Sequence, residues 1–410
     1  MTSNGSAPDA LAEGESTALS GLARLTASAF QGTDLTPLAM RLIARASADP
    51  SDANALMDLS TVLLLQGIDD VGLATQAHAL QVSRRYRLPA AKLPSLRLLA
   101  FMAPGGLMTN APLPFLLDGS DVALEMLYLV PGEPIPEFPA HDVAYVAISE
   151  SSATRPLLRA LDAALAERGV PVLNRPSLIA ATARDEAFRR LAGLDAVRIP
   201  ASAQVGRADL ARVAAGEVAI GARVPDCEFP VIVRPVDSHA GHDLARLEHA
   251  RDLRAYLEAT AGDGFFVSSF VDYRDADGLY RKYRVATIDG EPFAVHLGVS
   301  SHWMIHYLNA GMTESAAKRA EEERFMRDFD FDFGRRHGDA LREIARRFAL
   351  DYLVIDCAQM PDGRLLVFEV DPGAVVHAMD SDAMFPYKRP AMRRVFDAFR
   401  AMLERARRAP

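Results

Sequence analysis

The chain is poor in cysteine and tryptophan, carries no surplus of positive charge and has no long apolar run. Its two cysteines, Cys227 and Cys357, stand apart among apolar residues. That argues against a disulfide framework or a structural zinc site and fits a reducing compartment. The 45 Lys+Arg are outnumbered by 54 Asp+Glu, a net charge of -9. Charge-driven binding to nucleic acid or to an anionic membrane is therefore not expected. No uncharged stretch reaches the roughly 18 apolar residues of a membrane span. Residues 1–16 are small, polar and acidic, with neither a basic n-region nor an apolar h-region. They read as a disordered tail on a cytoplasmic protein. The remainder has ordinary globular composition, and 410 residues suffice for roughly two to four domains with large cores.

Residues 17–94 read as a helical segment. Leu56, Leu59, Leu63 and Leu64 recur at helical spacing, with Asp52 or Asn54 as N-cap and Gly67 as stop. A second helix carries Val71, Ala74, Ala77, His78 and Val82 on its apolar side. The helix–Gly–helix unit from Pro50 to Leu80 resembles a tetratricopeptide hairpin, with a plain helical cap as the equal alternative.

Residues 95–195 alternate strands with helices, as in an open α/β sheet. Strands are expected at Leu96–Met102, Ala123–Val130, Asp142–Ile148 and Val170–Leu173, and helices at Thr154–Arg168 and Pro176–Leu194. The loop at Pro104-Gly105-Gly106 is not a GxGxxG motif and reads as a substrate-side loop. Residues 196–405 form a further domain. Its strands are expected at 230–235, Phe265–Val271, Tyr283–Ile288, Pro292–Val299, Tyr352–Gln359 and Arg364–Val370. Asp289-Gly290 is a type I′ hairpin turn. A helix is expected at 250–261 and another at 338–349, and the polar stretch 311–334 looks disordered.

Three acids gather near the C-terminus, Asp356, Glu369 and Asp371. Residues two apart on a strand share a face, and the hairpin can set Asp356 opposite the other two. Unpaired burial would cost several kcal/mol each, so either a hard cation such as Mg²⁺ or Mn²⁺, or ion pairing to nearby arginines, must accompany them. Arg234 ends an apolar strand ahead of a small-residue loop holding Ser238 and Gly241. Lys282 and Arg284 share a strand face. Cations facing acid-bound metal is the layout that phosphoryl transfer requires.

From about Asn174 to Val376 the chain resembles the ATP-grasp superfamily. The matching segments are Asn174-Arg175-Pro176, Phe229–Gly241, Phe265–Tyr273, Lys282–Phe293 and Tyr352–Gly373. The α/β segment before them resembles the pre-ATP-grasp domain. The resemblance implies an α+β ATP-grasp fold behind an α/β pre-domain and an all-helical N-terminus, using ATP and Mg²⁺ (or Mn²⁺). It implies Arg234 on phosphates under a flap of Ser238–Gly241, and Ser269, Phe270 and Val271 beside adenine with Asp272 at the ribose. It further implies Lys282 at the nucleotide and Arg284 at phosphate or acyl phosphate. Asp356, Glu369 and Asp371 would be metal ligands, and Gly373 would admit substrate. Asp371 stands where Asn is common, and Glu186 follows Asp185 where the family often carries a Lys, with Arg184 offered in its place. The implied reaction is ADP-forming ligation: a carboxylate becomes an acyl phosphate, which an amine attacks. The helical segment could recruit a peptide or protein substrate, and a homo-oligomer is compatible with the sequence. The contrasting reading is a non-catalytic nucleotide-binding scaffold. Zinc at His302 and His306, four apart, is disfavoured; the roles of His296, His302 and His306 stay open, as do those of His239 and His242. Asp328, Asp330 and Asp332, alternating with Phe329, Phe331 and Phe333, read as an edge strand or a lid.

Overall fold

The structure, a computed structural model, describes residues 17–238 and 241–408; the 1–16 tail and His239 lie outside them. The chain forms two compact units, Met1–Leu88 and Pro89–Pro410. No helix among the described residues is long and apolar enough to cross a membrane.

The first unit has four helices, α1 (Leu22–Phe30), α2 (Thr36–Ala48), α3 (Ala53–Leu65) and α4 (Asp69–Val82), then a short strand, β1 (Arg85–Leu88). Asp52 caps α3 by accepting the Ala55 N–H at 2.8 Å. Asn54 instead donates to the Thr17 carbonyl at 3.0 Å. Helices α3 and α4 form as expected, but α4 is rotated from the expected phase. Its buried side is Gly72, Gln76, Ala79 and Leu80, while Val71 and Val82 are exposed. The reason is close contact through small residues: Ser60 Oγ donates to the Gly72 carbonyl at 2.7 Å.

The second unit holds three sheets. In the first, β2 (Leu96–Met102) lies between β3 (Val122–Tyr128) and β4 (Val143–Val146), all parallel, with the short helix α5 (Leu113–Leu116) ahead of β3. These strands are nearly continuous apolar runs, which is what a sheet covered on both faces requires. Helix α6 (Arg155–Arg168) follows β4. The strand expected at 170–173 reduces to a single bridge, Tyr145 to Leu173. The helix expected over 176–194 is broken into α7 (Pro176–Ile179), a 3₁₀ turn and α8 (Arg184–Leu191).

After a two-residue strand, β5 (Val197–Arg198), the chain builds an antiparallel sheet ordered β6-β9-β7-β8. Its strands are β6 (Ser202–Gly206), β7 (Val231–Pro235), β8 (Ala245–Leu247) and β9 (Gly264–Ser269), backed by α9 (Arg207–Ala214) and α10 (Asp252–Ala259). The third sheet is ordered β11-β10-β12-β13-β5. It comprises β10 (Tyr280–Ile288), β11 (Glu291–Ser300), β12 (Tyr352–Gln359), β13 (Leu365–Asp371) and β5, the last parallel to β13. Asp289 and Gly290 turn β10 into β11 with φ of 50° and 82°, as a type I′ turn demands.

The stretch 311–334 is not disordered. It contains α11 (Ala316–Arg327), capped by Ser315 accepting from the Lys318 N–H, and leads into α12 (Phe333–Phe348). Nor is 328–333 a strand: Phe329 and Phe333 turn inward onto Phe325, leaving Phe331 exposed. A final helix, α13 (Lys388–Arg408), buries Met392, Val395, Phe396, Phe399, Met402 and Leu403 at helical spacing.

Candidate functional site

The site begins with a register. Arg284 on β10, Asp356 on β12 and Glu369 on β13 are directly opposite one another, and His296 on β11 is opposite Arg284. One rung across four strands thus carries four ionisable residues. Pairing slips after Arg284 and after Asp356, and such irregularities re-aim side chains beside functional sites.

Asp356 is buried at the centre of β12. Arg284 grips it in bidentate fashion, Nε to Oδ1 at 2.7 Å and Nη2 to Oδ2 at 2.9 Å. Lys282 Nζ adds 2.7 Å to Oδ2. Burial works to raise the Asp356 pKa, and these two cations overcome it and hold the carboxyl far below its usual range. Glu369 Oε2 accepts from Arg184 Nη2. Burial raises its pKa, and Arg184 and Lys282 lead in bringing it net downward. Asp371 differs. Its Oδ1 accepts the Gly373 N–H at 2.7 Å, and it makes no ion pair among the described residues. Burial, then the neighbouring Glu369 charge, pushes it up to about 6.

The expected basic side is also present. Arg234 is buried at the end of β7 and donates to Ser238 Oγ at 3.1 Å and to the Ser238 carbonyl. Burial, then repulsion from Arg184, brings its guanidinium down to about 10. Arg281, by contrast, points to the other face, where Asp275, Asp277 and Glu321 hold it.

Two loops frame the rung. Asp237 accepts the Ser152 N–H at 3.1 Å, joining the β7–β8 connection to the loop after β4. At Gly241, whose φ is +73°, an added Cβ would overlap the His306 ring. His306 in turn faces Lys282, Glu369, Asp356 and Arg234, with burial and then Lys282 lowering its pKa. His302 and His306 do not share a helix face; 302–306 is irregular and only Tyr307–Asn309 forms a 3₁₀ turn. The loop after β2 reaches the same region, since the Ser149 N–H donates to the Thr109 carbonyl at 2.9 Å. Ser149 Oγ is buried without a partner among the described residues, against Gly373.

The residues expected beside adenine lie at the exit of β9. The N–H groups of Ser269 and Phe270 are taken by the carbonyls of Ala201 and Pro230, each at 3.1 Å. Phe270 meets Trp303 edge to face at 5.7 Å, with the Arg246 guanidinium 3.9 Å from its ring centroid. Val271 packs on the neighbouring apolar cluster, and Asp272 pairs with Arg274.

Sequence reasoning missed a second polar cluster next to the rung. Lys388, at the start of α13, donates to Tyr307 Oη and pairs with Asp380 at 3.0 Å. The fully buried Glu322 accepts from Tyr307 Oη at 3.0 Å, Tyr387 Oη at 2.8 Å and the Leu297 N–H at 3.2 Å. Five parts of the chain meet there, so no local motif announces it. The Ser315 cap and apolar Phe325 and Met326 were the available signals for α11.

For a divalent cation, the donors are hard oxygens. Among the described residues, no group of three or more acidic, His or Cys side chains is arranged to hold a metal. Asp356 is occupied by cations, whereas Glu369 and Asp371 each keep one oxygen without a hydrogen bond among the described residues. Those two side chains fit the ion.

No protein-family model matches the chain. No curated protein matches it either. Solved structures do. VanG D-Ala:D-Ser ligase from Enterococcus faecalis is 12% identical, with TM-score 0.46, over 75% of this chain and 99% of that one. D-alanine–D-alanine ligase from Bacillus anthracis complexed with ATP is 12% identical, with TM-score 0.42, over 76% and 99%. A RimK domain protein, described as ATP-grasp, from Sphaerobacter thermophilus DSM 20745 is 16% identical, with TM-score 0.41, over 75% and 99%.

Proposed function

We propose that this chain is an ATP-grasp ligase that activates a carboxylate as an acyl phosphate, releasing ADP, for attack by an amine. The observation that carries the reading is the rung of Arg284, Asp356 and Glu369, with Lys282, Arg184 and Arg234 around it. Four cations and three carboxylates converge, Lys282, Arg284, Asp356, Glu369 and Asp371 from the five-stranded sheet, Arg234 from the end of β7 and Arg184 from α8, the charge pattern a triphosphate and its metal would complete.

In this reading Glu369 and Asp371 would hold Mg²⁺, which when bound would neutralise and orient the phosphates. Asp356, already paired with both, would fix the Arg284 and Lys282 donors in place. Arg284 keeps Nη1 on the Val375 carbonyl at 3.0 Å, which aims the guanidinium along the strand exit where the carboxylate would sit. Arg234 and Ser238 receive phosphate oxygens. Phe270, Trp303 and Arg246 wall the base, with Val271 and Asp272 following, and the His306–Gly241 contact keeps water from the acyl phosphate. The first unit would present a peptide or protein substrate.

The scaffold reading has one specific support: Asp356 is already neutralised by side chains. Mass spectrometry decides between them. Incubation with ATP, Mg²⁺ and pooled amino acids of both chiralities plus dicarboxylates should release ADP together with an amide product. AMP release, or no nucleotide turnover, would defeat the ligase reading.

A further inference from the structure

His296 belongs to the rung but has no part in the proposed phosphate chemistry. It sits at the end of the rung opposite Glu369, next to Arg284. Its Nδ1 is buried without a partner among the described residues, although the residue as a whole is only partly buried. The Tyr307 ring lies 4.8 Å from it, and Tyr307 is fixed by Lys388, 4.0 Å from the same ring centroid, and by Glu322. An imidazole held this firmly, with a nitrogen left unsatisfied, costs stability that packing alone does not explain.

Direction along the rung matters. If the triphosphate lies at Glu369 and the activated carbonyl at Arg284, the nucleophile must approach from the remaining end. The geometry points to His296 as the proton acceptor for an amine substrate bound at the β11 end of the rung. This rests on the ligase reading above. The nitrogen lone pair forms the new C–N bond, the C–O bond to phosphate breaks, phosphate leaves with that electron pair, and the proton lost by nitrogen passes to the imidazole. The groups facing His296 are Arg284 and Lys282 from β10, Asp356 from β12, Lys388 from α13 and Tyr307 from the loop after β11. Burial, then Arg284, keeps the imidazole neutral with its lone pair available, and Asp356 is the charge that favours its protonated form. A weak base suffices, because nitrogen becomes strongly acidic once it has bonded to the carbonyl carbon.

The test uses hydroxylamine, a small nucleophile that is unprotonated at neutral pH and can pass the proton it loses to water, so it does not depend on a positioned base. Wild type, His296→Ala and His296→Asn are each given ATP, Mg²⁺ and the pooled amino acids, with and without hydroxylamine. Hydroxamate formation should stay within about 3-fold of wild type in both variants, while amide formation falls about 100-fold, the size of a lost general base. Equal loss of hydroxamate and amide in both variants would make His296 structural and overturn the inference. Unchanged amide formation would overturn it too. A wild type that makes neither product removes the ligase reading itself.

Discussion

Glu369 and Arg284 differ in what their loss should do. Glu369 keeps one oxygen without a hydrogen bond among the described residues, and its partner Arg184 is partly exposed, so Glu369→Gln removes charge while keeping shape; ADP release should vanish with the melting temperature nearly unchanged. Arg284→Ala strands a buried Asp356 carboxylate with only Lys282 beside it. Breaking a buried pair in this way costs about 3 kcal/mol or more, so urea denaturation should show a large loss of stability alongside lost turnover. Gly373→Ala sets a Cβ against Ser149 Oγ and 3.2 Å from Asp371 Oδ1. Overpacking there should cost about 1–3 kcal/mol and most of the activity. Because Ser149 Oγ has no partner among the described residues, Ser149→Ala should be close to neutral alone and should restore part of both losses in the double variant; additivity of the two changes would contradict the contact. Lys282, Arg284 and the three acids were legible because strand period and residue type suffice to place them on neighbouring strands of one sheet, and Arg234 because it ends an apolar strand of another. The pairing of Asp356 with arginine and lysine was visible only as an alternative, since sequence does not reveal which side chains share a rung. His296, Ser149 and Lys388 could not be assigned, because each owes its role to a neighbour far away in the chain.

At the scale of elements, α13 is clamped to the first sheet. Arg400 Nε donates to Asp121 Oδ1 at 2.6 Å, just ahead of β3, and Arg400 Nη2 donates to Ser95 Oγ at 3.0 Å. The Arg400 hydrogen bond, followed by that of Ser95, holds Asp121 well below the usual carboxylate range. A depressed carboxyl stabilises the fold above its unfolded value, near 4, and loses that contribution as pH falls through the folded value. Asp121→Asn should therefore lose about 1.5 kcal/mol at pH 7, with the gap to wild type closing in acid; a gap independent of pH would contradict the clamp. The periodic strands and the Asp-Gly hairpin were legible from local pattern. Helix α11 was hidden because Ala, Lys, Arg and Glu dominate it and its buried face, beside Phe325 and Met326, includes a charged residue, Glu322, satisfied by the distant Tyr307, Tyr387, Leu297 and Lys388. Helix α4 was placed correctly but in the wrong phase, because its contact is made by Gly72 rather than by its larger apolar residues.

The whole molecule divides between a helical unit and a unit carrying every residue of the proposed site. Recruitment of a peptide by the first unit makes a kinetic claim. Removing residues 1–88 should raise KM for a peptide substrate at least 10-fold and leave kinetics on a free amino acid unchanged; identical kinetics on both would remove that role. The central claim, that the rung and its flanking cations receive a metal-bound triphosphate, is most directly tested by anomalous diffraction. Crystals of the full chain would be soaked with Mn²⁺ and a non-hydrolysable ATP analogue. The predicted result is a manganese peak about 2.1 Å from carboxylate oxygens of Glu369 and Asp371, with phosphate oxygens against Arg234 and Lys282. A nucleotide bound elsewhere, or a peak distant from both carboxylates, would contradict it.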